Sequence, residues 1–175
     1  MRHIALLRAI NVGGRNKVAM SWLKEALLAM GFTDVATVVQ SGNAVFTGAG
    51  EDLAGDIERR ITADLGLTVS VLTRTRDELA DVVARNPWPD RVADPTSVHV
   101  DFLSETPSPA KIATLDPEAL RPDEFRVDGT EAYLWYPNGS GRSKLTNDLL
   151  ERRLGVVGTA RNWNTVTKLL ALADA

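Results

Sequence analysis

Short apolar runs alternate with amphipathic stretches along the chain, and the two periods separate strands from helices. Residues His3 to Ile10 are apolar on both faces, the pattern of a strand buried on both sides. A polar, glycine-bearing loop from Asn11 to Lys17 follows. Then Leu23, Ala26, Leu27 and Met30 form one stripe of a helix over Ser21–Met30, stopped by Gly31. Val35–Gln40 and Ala44–Thr47 are rich in strand formers and read as a hairpin turning at Ser41-Gly42-Asn43. Leu53, Ile57, Ile61 and Leu65 make Glu51–Leu65 helical, and Val69–Thr73 is the next strand. Thr75-Arg76-Asp77-Glu78 has the spacing of a capping box, so a helix starts there; it ends by Asn86, because Pro87 disfavours helical geometry in the residue before it.

After a proline-rich stretch the order repeats. Val98–Leu103 is a strand, and Ser108-Pro109 opens a short helix. Glu124–Asp128 and Glu131–Tyr136 form a hairpin around Asp128-Gly129. A helix over Lys144–Leu154, capped by Ser143, and a strand over Val156–Arg161 lead to a last helix from Trp163 to Ala173. Each half thus reads β-α-β-β-α-β plus one further helix. The expected fold is α+β: two ferredoxin-like, split β-α-β halves packed into one compact protein. The expected boundaries are residues 1–86 and 97–175, with a linker at about 87–96. No residue-level repeat relates the halves.

Composition narrows the chemistry. A chain of 175 residues suits one domain or two small subdomains, and 44% hydrophobic residues suffice for a packed core. Without cysteine there is no disulfide, thiolate nucleophile or Cys-type zinc site. No apolar run approaches the roughly 20 residues of a membrane helix. The N-terminal apolar stretch is broken by Arg8, so it reads as a strand rather than a secretion signal. These features lead to the expectation of a cytoplasmic protein with no membrane partner. The formal net charge of -3 argues against nonspecific coating of nucleic acid, yet Met1 to Lys24 holds five cations and no acid, so one basic face is possible.

Three polar segments could carry chemistry. Asn138-Gly139-Ser140-Gly141-Arg142-Ser143-Lys144 lies between a strand and a helix. Glycines let backbone N–H groups converge there and Arg142 and Lys144 add charge, as in a phosphate cradle, although the spacing is not that of a Walker loop. The competing reading is a turn before a capped helix. Gly13-Gly14-Arg15-Asn16-Lys17 repeats the theme more weakly, beside Asn11, with a solvated loop as the alternative. Thr159 to Thr165 contains Arg161, Asn162 and Asn164; capping explains the asparagines, and Trp163 is expected to pack. Arg8, placed in an extended strand, shares a face with Ile4, Leu6 and Ile10, so it needs a partner or a ligand at the strand end. Gln40, Ser41 and Asn43 line the same area unless they serve only the turn. His99 and Asp101 sit two apart on one strand face, but edge or solvent-face positions account for them more simply. No residues have metal-ligand spacing, and no cofactor is expected.

Taken together, Ala5-Leu6-Leu7-Arg8-Ala9-Ile10-Asn11-Val12-Gly13-Gly14, Gln40-Ser41-Gly42-Asn43, Gly141-Arg142-Ser143-Lys144-Leu145-Thr146-Asn147 and Arg161-Asn162-Trp163-Asn164-Thr165-Val166 resemble the bacterial family called domain of unknown function 1697. The family pattern usually has Gly where this chain has Ala9, and Pro where it has Ala19. The resemblance implies two ferredoxin-like halves and no activity. The candidate ligand-binding set is therefore Arg8, Asn11, Gly13, Gly14, Lys17, Ser41, Asn43, Gly141, Arg142, Ser143, Lys144, Arg161, Asn162 and Asn164. The leading expectation is binding of an anionic, phosphate-bearing ligand, a nucleotide or nucleic acid, at a basic Gly-rich surface. The alternatives are an enzyme acting on a phosphorylated small molecule and a protein-interaction or dimerisation module, since such folds host all three.

Overall fold

The polar–apolar pattern condenses into two antiparallel sheets. The computed structural model describes residues 1–38 and 42–175. Among them the chain runs β1 (Arg2–Leu7), α1 (Met20–Ala29), β2 (Thr33–Val38), β3 (Asn43–Thr47), α2 (Leu53–Leu65), β4 (Val71–Thr75) and α3 (Arg76–Ala84). It continues with β5 (Val98–Leu103), α4 (Pro109–Ile112), α5 (Pro117–Leu120), β6 (Glu124–Asp128), β7 (Glu131–Trp135), α6 (Asn147–Leu154), β8 (Gly158–Asn162) and α7 (Trp163–Asp174). The strand orders are β2-β3-β1-β4 and β6-β7-β5-β8, so each sheet pairs the first and third strands of its β-α-β-β-α-β run at its centre. The expected α+β fold of two such halves is borne out.

The chain divides into two compact units. Met1–Asp81 and Thr167–Ala175 form the first, and Val82–Val166 forms the second. In the first unit Ala5, Leu7, Leu23, Leu27, Phe46, Ile57 and Ile61 share one core between the sheet and its helices. In the second, Leu103, Leu134, Tyr136, Leu145, Leu150 and Leu154 do the same. Each Leu, Ile or Phe among them taken out of water contributes about 1.5–3 kcal/mol. The residues of α7 that belong to the first unit are tied into it: Arg2 Nη2 donates to the Leu172 carbonyl at 2.9 Å, and Arg76 pairs with Asp174 at 2.5 Å.

Local sequence signals set several boundaries. Thr75 and Glu78 form the expected capping box, each side chain accepting the other's backbone N–H at 3.1 and 2.8 Å. Asp52 caps α2 and a left-handed Gly66 ends it. The first strand is shorter than its apolar run, because the chain bends at Arg8 and Ala9 takes φ +52°. Alanine in that region costs about 1–2 kcal/mol, whereas glycine there costs less than 1 kcal/mol in unfolded-chain entropy. Ala9→Gly is therefore expected to stabilise the protein by about 0.5–1 kcal/mol. A higher urea midpoint at unchanged slope checks it; a lower midpoint, the entropy cost of glycine alone, would show that the bend is not strained.

Candidate functional site

The loop from Pro137 to Thr146 in the second unit is held from beneath. Tyr136 Oη donates to the Leu145 carbonyl at 2.6 Å. Burial, and then the negative charges of Asp101 and Asp123, push the Tyr136 phenol above its ordinary pKa, so it remains a donor. The Ser143 hydroxyl donates to Asp123 Oδ2 and accepts the Leu145 N–H at 2.9 Å. Ser143 therefore does not cap the helix. Thr146 does, accepting the Leu149 N–H at 3.1 Å, and α6 starts at Asn147, three residues later than its sequence indicates. Gly141 is exposed, with no left-handed φ and, among the described residues, no heavy atom within 4 Å of where a Cβ would lie, so none of them requires glycine there. Arg142 and Lys144 are also exposed.

Lys144 does not stand alone. With Arg152 and Arg153 of α6 it lines a cleft of about 400 Å³ whose apolar lining is Leu115, Ala119, Leu120 and Leu149. Asp116 is the single acid of that lining. Among the described residues Arg142, Lys144, Arg152 and Arg153 make no ion pair. Cations near a helix C-terminus favour its dipole, which accounts for Arg152 and Arg153 being on α6 but not for their meeting Lys144 across a concavity.

Arg161 is buried on β8, where Nη1 donates to Thr159 Oγ1 at 2.7 Å and to the Ala160 carbonyl at 2.9 Å. Burial lowers its pKa to about 10, against the pull of the Asp101 carboxylate, so it stays charged at neutral pH. Asn162 caps α7 by accepting the Thr165 N–H at 3.0 Å, Asn164 is exposed, and Trp163 packs, as expected.

The first unit shapes its own loop through side-chain amides. Asn11 Nδ2 donates to the Val18 carbonyl and Asn11 Oδ1 accepts the Val18 N–H, both at 2.9 Å. The Asn11 N–H donates to the Asn16 carbonyl at 3.1 Å and the Arg15 N–H to the Val12 carbonyl at 3.0 Å. Gly13 and Gly14 form the turn between them, with φ +57° and +76°, a conformation that asks for two glycine-like residues. Arg15 and Lys17 are exposed and, among the described residues, without an ion pair. Arg8 is half-buried past the end of β1, its N–H donating to the Ser70 carbonyl at 2.9 Å. Asn43 is fully buried in β3 and donates to the Val38 carbonyl at 3.0 Å. Gln40 and Ser41 lie outside the described residues.

The family model for a protein of unknown function (DUF1697) matches residues 1–133. The chain belongs to this family. The match takes in the Arg8–Gly14 segment of this DUF1697 member and stops before Gly141. The chain is also similar to a solved structure, "conserved bacterial protein SP0830 from Streptococcus pneumoniae". That likeness has a TM-score of 0.72 at 22% identity and covers 98% of each chain, which shows a shared fold. No curated protein matches the sequence.

Two features of this DUF1697 member escape sequence reasoning. Arg152 and Arg153 were readable in principle, because with Leu149 they fall at i, i+3 and i+4 on one helix face. Asp101 was expected at an edge or on a solvent face; instead β5 lies inside its sheet between β7 and β8, and Asp101 is fully buried. His99, on the same face of β5, meets the Tyr136 ring edge-on at 5.0 Å, and its Nδ1 is buried without a hydrogen-bond partner. Burial holds its pKa below the ordinary 6.5. The unfolded chain therefore takes up this proton first, and stability falls as pH drops below 6.5 toward the folded value. The expected slope approaches about 1.4 kcal/mol per pH unit for this group. His99→Phe, which keeps the ring, should flatten the fall in urea midpoint between neutral and mildly acidic pH. An identical decline in both proteins would assign it to other groups.

Proposed function

We propose that this protein binds a phosphate-bearing anion, the class that includes nucleotides and nucleic acid, at the cleft between α5 and α6. The observation that carries this reading is the convergence of Lys144, Arg152 and Arg153 on one concavity, with no ion pair among the described residues. A cluster of like charges raises its own electrostatic energy, and a bound anion relieves it. Arginine matches phosphate geometry with two parallel N–H donors, and lysine adds a point charge. Gly141 and Arg142, on the loop leading to Lys144, extend the same surface toward a larger anion. Arg15 and Lys17 give the first unit a basic loop of its own, and Arg8, Asn11, Gly13 and Gly14 shape or flank it.

Thermal melts of the whole chain test this, using inorganic phosphate, adenosine monophosphate and a short oligonucleotide, with chloride at matched ionic strength as the control. A ligand bound by the folded state alone raises the melting temperature, by an amount that grows with the logarithm of its concentration relative to Kd. At least one phosphate compound is expected to do so, and less strongly as salt is raised. If none does, the cleft is not an anion site.

A further inference from the structure

Resting on that reading, we infer that the ligand of the α5–α6 cleft is an aliphatic phosphate ester. Its phosphate lies among Lys144, Arg152 and Arg153, and its hydrocarbon body on Leu115, Ala119, Leu120 and Leu149. A free phosphate ion has no use for an apolar floor. Here the floor is fixed, because Leu115 and Leu120 are rooted in the core of the second unit and Leu149 packs against that core.

The polar groups of the lining sort in the same direction. The Thr114 hydroxyl donates to the Lys111 carbonyl at 2.6 Å. Asp116 caps α5 by accepting the Glu118 N–H at 3.0 Å. Both therefore have work inside the chain, and the three cations are the groups left to select a ligand. No Phe, Tyr, Trp or His lines the cleft, so it offers no ring on which a nucleobase would stack. About 400 Å³ is within the range of small-molecule sites and exceeds what a bare oxyanion fills. Apolar floor plus clustered cations is the complement of an alkyl or alicyclic phosphate monoester, with binding energy shared between charge and burial.

Calorimetric titration of the whole chain with n-hexyl phosphate, inorganic phosphate and adenosine monophosphate tests this. Hexyl phosphate is expected to bind roughly tenfold or more tightly than inorganic phosphate, since each buried methylene adds several-fold. It should also bind more tightly than the nucleotide. Leu149→Asn should remove most of the advantage of hexyl phosphate over inorganic phosphate, and an advantage undiminished in this variant would overturn the assignment. Ala119 is exposed, so Ala119→Glu disturbs the fold least, and its carboxylate over the floor should abolish binding of both. Equal binding of hexyl and inorganic phosphate, or tighter binding of the nucleotide, would overturn the aliphatic assignment and leave the anion site standing. Hexyl phosphate binding that survives Ala119→Glu would place the hydrocarbon elsewhere and overturn it too. If neither phosphate binds, both readings fall together.

Discussion

Gly42→Ala is expected to destabilise the protein by about 2–5 kcal/mol, through two costs that add. Gly42 has φ +86°, where an L-residue is strained by about 1–2 kcal/mol. A Cβ there would also lie 2.7 Å from Ile10 Cδ1 and 2.8 Å from Leu7 Cβ. The Ile10 terminus has some freedom to rotate. Leu7 Cβ does not, because Leu7 is the last residue of β1 and its N–H donates to the Gly42 carbonyl at 2.9 Å. Gly129→Ala supplies the comparison: its φ is +62°, but nothing lies within 4 Å of the added carbon, so only the conformational cost of about 1–2 kcal/mol applies. Urea unfolding of the two variants separates the terms. Equal losses would show that the β1–β3 junction gives way and that crowding contributes nothing.

The second large effect concerns the cleft. Replacing Lys144, Arg152 and Arg153 together with alanine is expected to weaken phosphate binding by roughly two orders of magnitude or more. Each charge-assisted hydrogen bond contributes about 1.5–3 kcal/mol, and residues that share one anion are not additive, so the estimate stays below the simple sum. All three side chains are exposed, so the fold should survive, with only the helix-dipole share of the two arginines, about 0.3–1 kcal/mol each, lost from stability. The readout is the ligand-induced rise in melting temperature, which should vanish while the ligand-free melting temperature moves little. A triple variant that keeps its response to phosphate would move the site away from α6.

Where local chemistry decides, the sequence was a sufficient guide. The Thr75–Glu78 box, the left-handed Gly66 and Gly155 that end two helices, and the span Val98–Leu103 are all fixed by residues within a few positions of each other. Where a distant residue decides, it was not. Ser143 looks like a helix cap, but its hydroxyl donates its hydrogen bond to the carboxylate of Asp123, 20 residues earlier. His99 and Asp101 look like surface residues because alternation cannot say which strand lies inside a sheet. Asn11 reads as a ligand contact or as part of a solvated loop until Val18 is seen on both ends of its amide. The basic cleft needed the fold most of all. Its floor comes from α5, the turn before it and Leu149 of α6, its cations from α6 and the preceding loop, and no spacing rule links α5 to α6.

The placement of Thr167–Ala175 bears on how the chain comes to be folded. The Arg2 guanidinium reaches a carbonyl 170 positions further along the chain, and Arg76 a carboxylate 98 positions further. Contacts of such separation close late, since the entropy of a long loop must be overcome before they return any stabilisation. During synthesis from the N-terminus, residues 1–81 emerge first, yet the unit they build lacks a piece until the chain has passed residue 174. The nascent first unit therefore carries an open surface throughout translation of the second, and order of synthesis and order of completion run in opposite directions along this polypeptide.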